Sequence, residues 1–363
     1  MPAETVKMQT GSGAHSYNGN VDHKEEPQKE KSPGDPGFLV LSLDGGGVRG
    51  WLQVRLLKDL EDTIDKPIGE VADLIAGTSV GGILAMILLK RDPDNPAKCQ
   101  YSAKWLNEHF QELACTVFDK KKEWLIWRIL KAVLSIFWDI FNPEYSPNGI
   151  ETIGNKYLGD EFAKNARTHF CIATYELSEK MRTFFITKAA AADGYFKNIS
   201  MKTLARLTSA APVYFPPAQF NEQDFDDGGI FCNNPSMVAF ETALEVAKGE
   251  KIDVLSLGTG ISPTSLDLHS KLRRWGLLEV APAILDLFLN AQTQAVHVQM
   301  KRMQGVNFYH RIQPIMKETP SLDAATPETW KQLDAVADAI IKTPTWQKVR
   351  ELCKKKAASL KTT

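Results

Sequence analysis

A serine held between two glycines, Gly77-Thr78-Ser79-Val80-Gly81, joins the apolar run Val71-Ala72-Asp73-Leu74-Ile75-Ala76 to a second apolar run over 83–89. The first run reads as a strand and the second as a helix spanning about 80–90, which places the serine on a sharp strand-to-helix turn. Such a turn lifts a hydroxyl clear of a sheet only if the residues two before and two after it are small. Gly77 and Gly81 meet that condition. The helix N-terminus then directs free amides and a positive dipole end at any charge developing beside Ser79.

About thirty residues upstream, Asp44-Gly45-Gly46-Gly47-Val48-Arg49-Gly50 follows another strand-like run, 38–43. Its G-x-G-x-x-G pattern also suits a dinucleotide-binding turn, which needs an acidic residue about twenty positions on, at a strand end. Glu61, Asp62 and Asp65 have that spacing, yet Val54, Leu57, Leu60 and Ile64 recur around them at helical intervals. The better reading is an oxyanion hole. The uncluttered amides of Gly45, Gly46 and Gly47 hold the charge of an acyl-transfer intermediate, Arg49 favours that charge, and Gly50 supports the turn.

A serine nucleophile needs a base. Of the seven histidines, His269, His297 and His310 follow Ser79 in the chain order of a triad, but no glycine turn flanks any of them. Asp227-Gly228-Gly229, in contrast, sets a carboxylate on a glycine turn between aromatic segments. A carboxylate within hydrogen-bond reach can take the serine proton directly. Taken alone, the same tripeptide also reads as a plain hairpin or loop turn.

In order and approximate spacing, these three motifs resemble the patatin-like phospholipase family. Thr208-Ser209-Ala210-Ala211-Pro212, Phe215-Pro216-Pro217 and Asn233-Asn234-Pro235 add to the likeness, which covers about residues 38–260. The resemblance implies a serine acyl hydrolase without a catalytic histidine. Ser79 is then the nucleophile, Asp227 the base, and Gly45, Gly46, Gly47 and Arg49 the oxyanion hole, supported by Gly50, Gly77, Gly81, Gly228 and Gly229. Asp226 is the one ambiguity, and the Asp-Gly-Gly spacing favours Asp227. The implied substrates are phospholipids or other acyl lipids, with no metal and no cofactor. A non-lipid carboxylesterase of the same mechanism and a lipid-binding or storage protein with little turnover are the alternatives. The resemblance further implies gating by a small-molecule or protein activator, as in bacterial relatives triggered by a cyclic nucleotide.

Strand-like runs at 38–43, 71–76, 169–174, 184–187 and 253–257 alternate with helical periodicity, which predicts an α/β fold with a mostly parallel central sheet flanked by helices in a three-layer sandwich. We expect a disordered polar leader over 1–36, a catalytic domain over 37–262, and a helical C-terminal region over 263–363 packed on it. In that last region Pro282, near the start of an amphipathic stretch over 275–303, implies a break or an N-terminal position in the helix, and surface helices over 326–353 are expected to be interrupted at Pro344. A net charge of −1 gives no reason to seek a nucleic acid polymer. The five cysteines lack C-x-x-C spacing, which argues for a reducing, cytoplasmic setting and against a zinc site. Near 118–142 the catalytic domain carries an apolar insertion, with Trp124, Trp127 and Trp138 following Lys120-Lys121-Lys122. That composition suits peripheral contact with an anionic membrane surface, or a lid or acyl-chain wall, and equally a buried helix.

Overall fold

The computed structural model describes residues 7–8, 36–119, 143–262 and 277–360. Within them, a mixed sheet of eight strands comprises β1 (Phe38–Leu43), β2 (Leu74–Gly77), β3 (His169–Glu176), β4 (Thr183–Thr187), β5 (Ala218–Phe220), β6 (Gln223–Asp227), β7 (Ile252–Leu257) and β8 (Val306–Ile312). Around it lie α1 (Trp51–Ile64), α2 (Val80–Leu89), α3 (Ala103–Val117), α4 (Asn148–Ile153), α5 (Lys188–Ala192), α6 (Met201–Thr208), α7 (Ser236–Val246), α8 (Leu277–Arg302), α9 (Pro327–Ile341) and α10 (Pro344–Ser359). The five central strands β3, β2, β1, β7 and β8 pair in parallel, while β4, β5 and β6 add antiparallel partners at one side.

The parallel strands are apolar on both faces because helices cover both. Leu39, Leu41, Leu43, Ile75, Phe170, Ile172, Leu255 and Leu257 enter one buried cluster with α1, α2, α3, α6, α9 and α10. Their strand neighbours Phe38, Val40, Leu74, Ala76, Cys171, Ala173, Ile252 and Val254 enter a second cluster with α7 and Met300 of α8. Two cores separated by one sheet make the three-layer α/β architecture expected from the alternating runs.

The C-terminal region differs in detail from its sequence reading. β8 pairs with β7, so the stretch read as helical adds a strand to the same sheet. Of the two alternatives for Pro282, α8 takes the N-terminal one: the helix runs unbroken over Leu277–Arg302, with Pro282 in its second turn. α9 and α10 do part at Pro344, but they are no mere surface helices. Trp330, Leu333, Trp346, Val349 and Leu352 are buried in the cluster that holds α1, and the Trp346 indole N–H donates to Asp59 at 2.6 Å. Of the polar leader, only Lys7–Met8 is described; it pairs antiparallel with Pro314–Ile315. Among the described residues, no helix is long and apolar enough to cross a membrane.

Cys171 and Ile172 of β3 pair with both β2 and β4, and Thr174 and Tyr175 pair with both β4 and β6. β2 and β6 therefore share one edge of β3. They approach from opposite directions: β2 ends with Gly77 opposite Ile172, and β6 ends with Asp227 opposite Thr174. Only Ala173 lies between.

Candidate active site

Leaving β2, the chain enters α2 through Ser79, whose φ of 55° and ψ of −127° lie where side chains rarely go. That geometry explains the flanking glycines. A Cβ at position 77 would sit 2.3 Å from the Gly81 carbonyl oxygen, and one at position 81 would sit 2.2 Å from that of Leu43. The Ser79 amide donates to Thr208 Oγ1 at 3.0 Å. The adjacent Thr78 hydroxyl donates to the Cys232 carbonyl at 2.7 Å, tying the turn to the chain that follows Asp227.

At the end of β6, Asp227 is buried, and its Oδ1 accepts the Gly229 amide at 2.7 Å from the tight turn Gly228–Ile230. Close packing dictates the first glycine of that turn, because a Cβ at position 228 would lie 2.4 Å from the Ala173 carbonyl oxygen. Ser79 and the Asp227 carboxyl line the same cavity, and the Ser79 side chain favours the ionised form of that carboxyl. Burial pushes Asp227 up to about 7, aided by the nearby Asp226 and opposed by the Ser79 side chain and the Gly229 amide. Asp226, one residue earlier on the strand, is raised to about 6 by burial and feels the opposing charge of Arg206. Only Asp227 of the two lines the cavity that Ser79 also lines.

The glycine-rich loop lies across Ser79. A Cβ on Gly45 would stand 3.2 Å from the Ser79 Cβ and 2.4 Å from Asn233 Oδ1. Four of its amides are already committed: Asp44 to Leu257, Gly45 to Asn233, Val48 to Leu322 and Arg49 to Gly46. The amides of Gly46 and Gly47, with that of Val80 at the start of α2, donate to no acceptor among the described residues. An oxyanion could be received by these three. Here the structure differs from the sequence expectation in two respects. The Gly45 amide is held by the Asn233 carbonyl at 3.1 Å, and the Arg49 guanidinium points to Asp286 at 2.7 Å. Gly50 instead packs the loop onto Val80.

Several residues that sequence reasoning missed hold this loop. Both carboxylate oxygens of Asp44 accept from Arg311 on β8, a pair almost wholly buried. Gln53 donates to the Asp44 and Leu257 carbonyls at 3.0 and 2.8 Å. The Thr259 hydroxyl, in the turn that follows β7, donates to the Gly45 carbonyl at 2.9 Å. From α8, Asp286, Leu289, Gln292 and Thr293 recur at three- and four-residue intervals and meet Arg49, the cavity, Ile230 and Asn233.

Behind Ser79 opens an apolar cavity lined by Ile83, Leu84 and Ile87 of α2, Leu106, Phe110 and Leu113 of α3, and Ile150 and Ile153 of α4. Tyr214, Phe215 and Leu289 close its sides. Phe118 also lines it and meets Tyr145 edge-on at 5.3 Å. The tryptophan-rich stretch between those two residues lies outside the described residues, as does His269. The other two candidate histidines are elsewhere. His297 faces the Tyr309 hydroxyl at 3.1 Å, depressed to about 4 by burial, and His310 stacks on Phe308. Neither lines the cavity. A hydroxyl that faces a buried carboxylate, beside free amides and an apolar chamber, has the parts for acyl transfer to and from a lipophilic ester.

The family model described as Patatin-like phospholipase matches residues 41–240, more than half of the chain. Patatin-like protein 1 of Arabidopsis thaliana is 26% identical over 359 residues, covering 87% of this chain and 85% of the relative. Patatin-like protein 4 of the same plant is 29% identical, covering 64% and 62%. A cGAMP-activated phospholipase of Pseudomonas aeruginosa is 27% identical, covering 84% and 83%.

Proposed function

Because this chain belongs to the patatin-like phospholipase family, we propose that it is a serine acyl hydrolase of the phospholipase A or lysophospholipase type, working through a Ser79–Asp227 dyad. The observation that carries this reading is the Ser79 hydroxyl set against the buried Asp227 carboxyl at the apolar cavity. Ser79 Oγ attacks the ester carbonyl carbon as its proton passes to Asp227. The amides of Gly46, Gly47 and Val80 receive the negative oxygen of the tetrahedral intermediate. Collapse breaks the ester C–O bond, Asp227 returns the proton to the leaving alcohol, and the acyl group stays on Ser79. Water then gives a proton to Asp227 as it attacks the acyl carbon, and the second collapse releases the fatty acid and restores the Ser79 hydroxyl. A carboxyl poised at about 7 suits both proton transfers.

The cavity supports an acyl chain as the bound portion of the substrate. Val213, Ile230 and Phe288, each adjacent to or part of its lining, are exposed apolar side chains, which supports uptake of substrate from a membrane surface. The test is covalent labelling with a fluorophosphonate, combined with lipid profiling of phospholipid vesicles. Labelling at Ser79, with turnover lost in Ser79→Ala and Asp227→Asn but kept in His297→Ala, is the expected result. Labelling without phospholipid hydrolysis would mean a soluble-ester substrate, and a folded protein with neither would mean a binding protein. The name of one relative, a cGAMP-activated phospholipase, supports including a small-molecule activator in the proposal, so each assay is run with and without cGAMP.

A further inference from the structure

We infer that Thr208, the last residue of α6, is a positioning residue for the nucleophile, an inference that rests on reading Ser79 as that nucleophile. On the edge of β3 that β2 and β6 share, where β2 has turned away and β6 has just ended, Ala173 faces no residue of either strand, although it pairs with Phe185 of β4 on the other edge, and its carbonyl here accepts a side-chain hydroxyl in place of a ladder amide. Ser79, turned out of the strand by its positive φ, has an amide with no ladder acceptor. Buried backbone groups left in this state are costly.

A single hydroxyl satisfies both. Thr208 Oγ1 accepts the Ser79 amide at 3.0 Å and donates its own proton to the Ala173 carbonyl at 2.7 Å. Thr208 is fully buried, and a Cβ added to Gly82 would fall 2.7 Å from its methyl group, so α2 packs directly on it. Because the Ser79 amide is held in this way, it is withdrawn from the set of oxyanion donors, and the Ser79 backbone is locked at the angle that presents Oγ to Asp227. Ala173, the acceptor of the pair, is also the residue that separates the ends of β2 and β6. Thr208 thus ties the nucleophile to the element that sets its distance from the carboxylate.

Thr208→Val keeps the shape and removes both hydrogen bonds, whereas Thr208→Ser keeps the hydroxyl and removes a methyl group. Rates of fluorophosphonate labelling, kcat and KM on a soluble short-chain ester, and thermal unfolding are measured for both and for the wild type. A misplaced reacting group costs on the order of 10²-fold. We expect Thr208→Val to lower the labelling rate and kcat by about that factor with KM nearly unchanged, and Thr208→Ser to stay within about threefold of wild type. If Thr208→Val proves too unstable to assay, Thr208→Ala takes its place against the same Thr208→Ser control. A variant that unfolds at lower temperature but labels at the wild-type rate while folded would reduce Thr208 to a packing role and overturn the inference. Failure of the wild type to label at Ser79 would instead overturn the nucleophile reading, and this inference with it.

Discussion

Arg311 grips both carboxylate oxygens of Asp44, a partner 267 positions earlier in the chain, and the two side chains are only 2% and 1% exposed. Arg311 Nη1 also donates to Ser256 at 2.7 Å, so β8, β7 and the glycine-rich loop after β1 are joined at one point. Removing one member of a buried ion pair strands the other's charge, at a cost of about 3–5 kcal/mol. Arg311→Met is expected to lower unfolding stability by that amount in a urea titration. In whatever fraction stays folded, hydrolysis should fall more steeply than substrate binding, since the loop bearing the Gly46 and Gly47 amides has lost its anchor.

Asp227 makes activity and stability respond oppositely to pH. As a base it must be ionised, so kcat/KM should rise with pH through a midpoint of about 7. Its folded pKa stands above the ordinary 3.8, so the folded state binds the proton more tightly. The burial penalty is therefore absent below about 4, grows between about 4 and 7, and is complete above 7. Asp227→Asn removes that penalty. Its melting temperature should exceed that of wild type most at about pH 8, with a gain of at most about 4 kcal/mol, and the two proteins should converge near pH 4.

The cavity should measure acyl chains. Ala205 lines it from α6 and is buried, so Ala205→Leu narrows the space available to a chain. Loss of about tenfold in kcat/KM on a long-chain ester is expected from about 1.4 kcal/mol of lost fit, with a butyryl ester little affected. A series of p-nitrophenyl esters reads this directly. An equal loss at every length would place the acyl chain elsewhere.

Phe288 is 60% exposed on α8, next to Leu289 in the cavity lining. Phe288→Ser should weaken hydrolysis of vesicle phospholipid several-fold more than hydrolysis of a soluble short ester, with no loss of thermal stability. Co-sedimentation with vesicles separates weaker surface binding from slower turnover.

Much of the fold was legible because parallel strands covered on both faces must be largely apolar, and the runs at β1, β2 and β7 are so, with Ser42, Asp253 and Ser256 the polar exceptions. The glycines at 77, 81 and 228 were legible for a harsher reason: a Cβ there collides with backbone. Arg311, Thr259 and Thr208 act instead through side-chain bonds to backbone or carboxylate groups more than a hundred positions away. No local periodicity or spacing encodes such a bond. The same holds for Gly45 and Arg49, whose partners Asn233 and Asp286 come from chain that the motif itself does not contain. The strand β8 was obscured because Val306–Ile312 mixes polar and apolar residues on only partly buried backbone, a pattern that suits a sheet edge but does not announce one.

Since β2 and β6 stop one residue apart along the same strand, the gap between hydroxyl and carboxylate is measured by that one residue of β3 and by no loop. The long excursion between α2 and β3, tryptophan-rich stretch included, can lengthen, shorten or change its chemistry while that gauge stays put. Chains built this way are free to diversify what they recognise without renegotiating how they react.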